Sequence, residues 1–420
     1  MKADWLSASD ALAAVLSRVS RLPAEKRPLL QCNGLVLAEE VTSPLDLPPW
    51  DNSAMDGFAV RSEDVHGASR DAPARLRVIG EVYAGGRPET AVEPGTAVRV
   101  MTGAPVPAGA DGVVRLEHTD AAAGGEVAVF DSSDAGRNIR LRGEDVRRGA
   151  AVLEPGGVLS PAALGLAASV GRAQLSVTRP PRVGILATGD ELVGVGEFDR
   201  VRAGERIVSS NSYLLAAQVE EAGGEPVDLG ISPDRPEALR ERLEGAKELD
   251  LLVTTAGVSV GDRDHLREVF AGMGGKPVFW RVRIRPGSPL AFGILAGVPW
   301  FGLPGNPVSS GVTCELFVRP ALLRMAGHRA VHRPVVEARF RGRYPGKEGL
   351  VHFVRCRLSG GGEEEWLAEP TGPQGSGVLS SLARADALAV VPEEPGSLAD
   401  GDPVRALLLG GRPYVEEPAF

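Results

Sequence analysis

The spacing of hydrophobic and polar positions changes along the chain, and the changes divide it into segments. Between residues 5 and 22, Leu6, Leu12, Val15, Leu16 and Val19 recur at helical spacing, with Ser7 and Ser9 as candidate caps, so an amphipathic helix is predicted. From Val41 the stretch VTSPLDLPPWDNSAMDGFAV is interrupted by Pro44, Pro48, Pro49 and Gly57 and reads as a loop entering a β-rich module. Between Leu76 and Phe130 short strands alternate with turns such as AGGRPET, EPGT and PVPAGADG. Ser160 and Pro161 then open, and Gly171 closes, a short helix over PAALGLAASVGRA.

Near Arg182 the pattern becomes an alternation of apolar runs and helical periods: VGILATG, NSYLLAAQVEEAGG, PVDLGI, RPEALRERLEGAKE, DLLVTTAG and RDHLREVFAGM. Such alternation predicts a parallel sheet wrapped by right-handed crossovers. A helix from about Pro307 to Met325 closes that unit, and after His328 the pattern is β again, in VEARFRGRY, LVHFVRCRL, ALAVVPEE and DPVRALLL. A small barrel or sandwich is predicted there, so the fold class is multidomain, α/β plus β.

Composition narrows the function classes. A chain of 420 residues has room for about two to four domains. Its 43% hydrophobic and 24% charged residues are those of a soluble globular protein. The formal net charge of -9 disfavours nucleic acid or an anionic membrane as main partner, and 5% aromatic residues offer little for base stacking. No apolar run reaches the length of a membrane span, and MKADWLSASDALAAVL lacks the parts of a signal peptide, so the cytoplasm is the expected compartment. Cys32, Cys314 and Cys356 are widely spaced with no CxxC, which supports neither a disulfide framework nor a zinc site.

In an open α/β sheet, ligands collect beyond the carboxyl ends of the strands. Asp190 and Glu191 follow the first predicted strand, Asp234 the second, and Asp262 with Asp264 the third, so three loops deliver carboxylates to one rim. Hard oxygen ligands of this kind suit Mg²⁺. Two Gly-rich turns, TTAGVSVGDRD (Thr254 to Asp264) and FGLPGNPVS (Phe301 to Ser309), each lead from a strand into a helix, the arrangement that holds anions on backbone N–H groups. Gly257 and Gly261 permit close backbone approach, while Pro304 and Pro307 stiffen the turn around Gly305 and Asn306. If FWRVRIRPGSP is a strand, Arg281, Arg283 and Arg285 share one face, able to grip oxyanions or simply to protect a solvated edge. Neither GxGxxG nor a P-loop is present, and the six histidines are scattered.

DNSAMDGFA (Asp51 to Ala59), RVMTGAPVPAGADGVV (Arg99 to Val114), NIRLRGEDVRRGA (Asn138 to Ala150), ATGDEL (Ala187 to Leu192), AGVSVGDRD (Ala256 to Asp264), RPGSPLAFG (Arg285 to Gly293) and GLPGNPVS (Gly302 to Ser309) together resemble the MoeA family. That is the molybdopterin molybdenumtransferase family, which includes the gephyrin E-domain. The resemblance implies a central three-layer, MogA-like α/β domain over 179–328 and an extended N-terminal, dimerising domain of 1–45 with 140–178. It also implies an inserted β domain over 46–139 and a C-terminal β-barrel-like domain over 329–420. It further implies a cytoplasmic homodimer, with a molybdopterin adenylyltransferase as upstream partner, that uses Mg²⁺ to cleave adenylylated molybdopterin, releases AMP and admits molybdate. Carried over residue by residue, Asp56, Thr102, Asp145, Glu191, Asp234 and Asp264 are the expected catalytic set, the last three as metal ligands. Gly257, Ser259, Gly261, Arg281, Arg285, Pro304, Gly305, Asn306, Ser309, Arg355 and Ser380 are expected to meet substrate. The chain departs from the family pattern where lysines are common, at Arg281, Arg285 and Ser288, where a second glycine is usual, at Ala256, and where an acid is usual, at Ser209. Two other readings are an adenylyltransferase, resembled by the α/β part alone, and a non-catalytic scaffold of the gephyrin type.

Overall fold

The computed structural model describes residues 5–121, 125–256, 265–361 and 364–410. The chain forms two compact units, one of residues 1–38, 156–160 and 175–420, the other of residues 39–155 and 161–174.

The second unit is built on a five-stranded sheet in the order Gly112–Arg115, Gly57–Val60, Thr96–Val100, Ala74–Val82 and Glu126–Val129. Alternate residues bury both faces. Phe58, Val60, Leu76, Val114 and Val127 form one core, and Ala59, Val82, Val98 and Val113 the other. Gly57 of the MDGFA motif has a steric reason to be glycine, because a Cβ there would lie 2.0 Å from the Val114 carbonyl oxygen. Two short ladders, Val41–Thr42 with Ala151–Leu153 and Asn52–Ser53 with Ile139–Arg140, fasten the chain entering the sheet to the chain leaving it. Helix Pro161–Ser169 ends ahead of Gly171 (φ 80°), the stop its sequence predicts.

In the first unit the N-terminal helix is shorter than its periodicity predicts, running Ala8–Leu16. Ser7 caps it by accepting the Asp10 N–H at 3.0 Å. It stops early because Leu22 gives its N–H to the Met325 carbonyl and the chain continues as strand Ala24–Pro28, paired with Gln174–Thr178. The central sheet has the order Glu225–Ser232, Arg182–Thr188, Leu251–Thr255, Val298–Leu303, Ala291–Leu295 and Lys276–Phe279. Its first four strands are parallel and the last two antiparallel, so the wholly parallel sheet predicted from the alternation is extended by a mixed edge.

Helices Ser210–Glu221 and Pro307–Thr313 cover one face with the N-terminal helix, through Ala11, Val15, Leu215, Val219, Val308 and Val312. Helices Pro236–Glu244 and His265–Gly272 cover the other, through Leu239, Leu243, Val269 and Phe270. Phe270 and Trp300 stack there with ring centroids 4.4 Å apart. The helix beginning at Pro307 reaches Met325 through a π-helical turn, Cys314–Val318.

The C-terminal part closes into a five-stranded barrel in the order Val351–Gly361, Glu364–Pro370, Val335–Phe340, Pro403–Leu408 and Ala387–Val391, the last pairing back to the first. The hydrophobic pattern does not single out strand Glu364–Pro370. The arginine strand over Phe279 to Pro289 is not formed. Lys276–Phe279 ends at Phe279, and only Ile284–Arg285 is extended again, pairing with the barrel strand that begins at Val351. Between them Val282 makes an isolated parallel bridge with Leu6, whose carbonyl accepts the Arg283 N–H while its own N–H goes to the Arg281 carbonyl. Among the described residues no helix is long and apolar enough to cross a membrane.

Candidate active site

The chain leaves strand Arg182–Thr188 for an outer position at Glu225–Ser232 and then returns to the opposite flank at Leu251–Thr255. This reversal opens a crevice beyond the carboxyl ends of the strands, where ligands bind in such sheets. A cavity of about 630 Å³ lies there. Its walls are the ends of the strands (Thr188, Thr255, Ala256), the loop residue Glu191, the helix start Ser209–Asn211 and the turn Pro304–Pro307. Two helices therefore begin at the cavity, and their dipoles favour an anion; the one starting at Pro307 contributes little through hydrogen bonds, since Pro307 has no N–H and the Val308 N–H goes to Ser376.

Local bonds hold these walls. Thr188 donates its hydroxyl to the Thr255 carbonyl at 2.9 Å, tying two strand ends together. Asn211, 8% exposed, donates from Nδ2 to the Gly305 carbonyl at 2.8 Å, joining the helix start to the PGNP turn, and its Oδ1 meets no hydrogen-bond partner among the described residues. Asn306 in turn donates from Nδ2 to the Ser376 hydroxyl at 3.1 Å, and Val308 gives its N–H to the Ser376 carbonyl, so a barrel loop braces the turn. Ser209 shares a 2.8 Å hydroxyl–hydroxyl bond with Ser212.

Ala256 takes the left-handed backbone, φ 67°, that a glycine would adopt freely. The position is fixed by its N–H, which donates to Leu303 at 3.0 Å, and its methyl faces the PGNP turn: a Cβ built on Gly305 would lie 3.2 Å from it. Ala256→Gly should therefore raise stability by about 0.5–1 kcal/mol, the relieved strain exceeding the added chain entropy. Thermal melting checks this, and a destabilised variant would show that the methyl contributes more than it costs.

Of the expected site residues, Glu191, Pro304, Gly305 and Asn306 line the cavity. Asp234 stands beside the Asp190 loop, its N–H donating to Asp190 Oδ1 at 3.2 Å. Burial first, and then the charges of Asp190 and Glu191, push its carboxyl above the usual range. Ser309 is buried in the first helical turn and does not line the cavity. Gly257, Ser259, Gly261 and Asp264 lie outside the described residues, as does Asp262.

The alternation of burial persists through the arginines, with Val282 and Ile284 buried between them: Arg281 stacks over Trp5 at 5.5 Å, Arg283 donates to the Trp5 carbonyl at 3.1 Å and pairs with Glu393 at 3.2 Å, and Arg285 is exposed. Arg355 is 1% exposed, donating from Nε to Ser381 Oγ and from Nη2 to the Gly375 carbonyl, both at 3.1 Å. Burial pulls its guanidinium below the ordinary value, and it joins no carboxylate in an ion pair among the described residues. Ser381, not Ser380, is the buried partner; Ser380 is exposed. Sequence reasoning missed Thr188, Asn211, Ser376 and Ser381, whose contacts join segments far apart in the chain.

In the other unit, Asp56 and Thr102 come together, Asp56 Oδ1 accepting the Thr102 N–H at 2.7 Å and its hydroxyl at 2.8 Å. Those bonds hold the Asp56 carboxyl below the usual range. Asp145 is exposed and borders a separate shallow cavity with Arg147 and Leu166.

Residues 6–171 match the MoeA N-terminal region (domain I and II), 184–324 the "Probable molybdopterin binding domain" and 337–409 the MoeA C-terminal region (domain IV). The molybdopterin molybdenumtransferase of Synechococcus elongatus is 39% identical over 413 residues, 96% of this chain and 100% of that one. The chain belongs to the MoeA family. The molybdopterin molybdenumtransferase of Bacillus subtilis is 37% identical, over 89% of this chain and 87% of its own. A molybdopterin biosynthesis MoeA protein from Pyrococcus horikoshii, solved by crystallography, superposes with a TM-score of 0.80 at 32% identity, covering 96% of this MoeA-family chain and 100% of its own.

Proposed function

We propose that this chain inserts molybdate into adenylylated molybdopterin, with release of AMP and with Mg²⁺ as cofactor. Membership of the MoeA family makes it an enzyme of molybdenum cofactor biosynthesis. The observation that carries the finer reading is the cavity where two helix N-termini, hydroxyl groups and Glu191 converge at the strand ends, a setting for a phosphate-bearing substrate.

In this reading the start of the helix at Ser210 holds the phosphoanhydride, the dipole of the helix at Pro307 adds to the field, and Asn306, braced by Ser376, orients it. Glu191, Asp234 and Asp264 would hold the ion. Their hard oxygen donors fit Mg²⁺, and the crowding of Asp234 by two like charges is what a bound cation would relieve. Among the described residues no three His, Cys, Asp or Glu side chains stand as a complete ligand group, and Asp264 lies outside them. When bound, the ion would neutralise charge at the scissile anhydride. Gly257, Ser259 and Gly261 would complete the cradle. Molybdate, a substrate, would be drawn by Arg281, Arg285 and Arg355, the last buried without a counter-charge, with Ser309 and Ser380 among the proposed contacts.

Asp56, Thr102 and Asp145 would act from a second copy in a homodimer, in keeping with the exposed carboxylates and the exposed Trp50 and Met55 of that unit. A molybdopterin adenylyltransferase would supply the substrate, in the cytoplasm. The four-part division given above, 1–45 with 140–178, 46–139, 179–328 and 329–420, belongs to the same proposal.

Incubation of the purified protein with adenylylated molybdopterin and Mg²⁺ should release AMP when molybdate is added. Folded protein that releases none, or releases it regardless of molybdate, would contradict the proposal.

A further inference from the structure

A second cavity, of about 460 Å³, lies between helix Ser210–Glu221 and the outermost strand, Glu225–Ser232. Its existence follows from the side chains that face each other. The strand offers Pro226 and Asp228 and the helix Ser212 and Ala216, too little volume to fill a space that a helix–sheet contact normally packs. A bulge widens it: Ile185 pairs with Asp228 but Ala187 with Ile231, so the outer strand carries one extra residue, and Gly230 (φ 80°) absorbs the turn. Ser209 lines both this groove and the main cavity, so the two spaces share one wall.

The groove has a specific polar and aromatic character. Tyr213 presents a ring that is 54% exposed. Asp228 accepts the Gly230 N–H at 2.8 Å on Oδ1 and enters no ion pair among the described residues, which leaves the carboxylate able to take further donors. A flat heterocycle with two adjacent N–H donors meets both features. The 2-amino-4-oxopyrimidine edge of a pterin has that pair, a ring N–H beside an amino group. Adenine presents its amino group beside a bare ring nitrogen, whose lone pair a carboxylate repels.

We infer that the groove between helix Ser210–Glu221 and strand Glu225–Ser232 is the ring subsite for the pterin end of the substrate, with Asp228 reading the amino-pyrimidinone edge and Tyr213 supplying a face. The inference rests on the reading of the main cavity as the site of adenylylated molybdopterin. A pterin so placed directs its dithiolene and phosphate arm past Ser209 toward the helix N-termini of the main cavity.

The probe is free 2-amino-4-oxopteridine, whose fluorescence reports binding to the full-length protein, compared with 2,4-dioxopteridine, in which a carbonyl replaces the amino group. The wild type is expected to bind the amino compound saturably and at least about tenfold more tightly than the dioxo compound, the worth of one charge-assisted hydrogen bond. Asp228→Ala should weaken pterin binding by a similar factor and erase the preference. Asp228→Asn, which keeps a group to accept the Gly230 N–H, guards against a folding defect and should lose the preference too. Equal binding of the two pteridines by the wild type, an unchanged affinity in both Asp228 variants, or no saturable binding at millimolar concentration overturns the inference. AMP release measured alongside separates the two levels: a wild type that releases no AMP defeats the functional reading. A wild type that does, with an unchanged KM in Asp228→Ala, defeats the groove alone.

Discussion

In magnesium-free buffer, Asp234→Asn is expected to melt at or above the temperature of the wild type. Added Mg²⁺ should raise the melting point of the wild type only, and molybdate-dependent AMP release should fall at least about a hundredfold in the variant. The argument is electrostatic. Burial and the neighbouring charges of Asp190 and Glu191 disfavour an ionised Asp234, so a neutral isostere removes repulsion from the metal-free protein. A residue kept for stability would behave oppositely, and an acid that costs stability needs another reason to be there. Paired thermal melts with and without Mg²⁺ decide it: a variant that melts low without the ion, or responds to it as the wild type does, removes Asp234 from the proposed metal site.

The largest stability effect is expected in the other unit, from Asp134. Its side chain is fully buried beside Arg115, with Nη2 to Oδ1 at 2.8 Å and Nε to Oδ2 at 2.9 Å, and it also accepts the Arg115 N–H at 3.1 Å. Burial alone would raise its carboxyl, but the Arg115 bonds and that of the Asn138 amide overcome it and hold the group at about 2, against an ordinary 3.8. A depressed carboxyl stabilises the fold above its unfolded value. That contribution, about 2 kcal/mol, should be complete above about pH 5 and fade as the pH falls toward 2. Asp134→Ala, which removes the buried carboxylate and its bonds to the partly exposed Arg115, should cost about 2–3 kcal/mol at neutral pH and flatten the acid limb of the stability curve. Denaturant melts across pH 2 to 7 measure both, and an acid limb that keeps its slope in the variant would assign the effect to other carboxylates.

How far the sequence specifies this arrangement depends on the range of the interactions. The strand and helix alternation after Arg182, the Ser7 cap and the stop near Gly171 are local, and each element forms about where its own residues require. Glu191 and the PGNP turn meet at one cavity because both sit at the carboxyl ends of parallel strands, a consequence of topology that periodicity already implies. The arginines of FWRVRIRPGSP show the limit. Alternation puts Val282 and Ile284 in the core with the arginines between them, as found, but the partners the arginines meet, Trp5 and Glu393, are distant in sequence and could not be read from it. Ser381 could not be told from Ser380 for the same reason, since the helical phase of Leu379–Ala383 decides which one turns under Arg355. The groove beside Asp228 was equally hidden, because it arises from what Pro226, Ser212 and Ala216 fail to fill.

The signature of the proposed reaction is coupling between metal entry and nucleotide release. The direct test is the ratio of molybdenum recovered in the pterin product to AMP released in one incubation with adenylylated molybdopterin, Mg²⁺ and molybdate. A ratio of one, with AMP release suppressed when molybdate is withheld, is the predicted result. AMP released with no molybdenum in the pterin would make the protein a hydrolase of the adenylate and contradict the assignment.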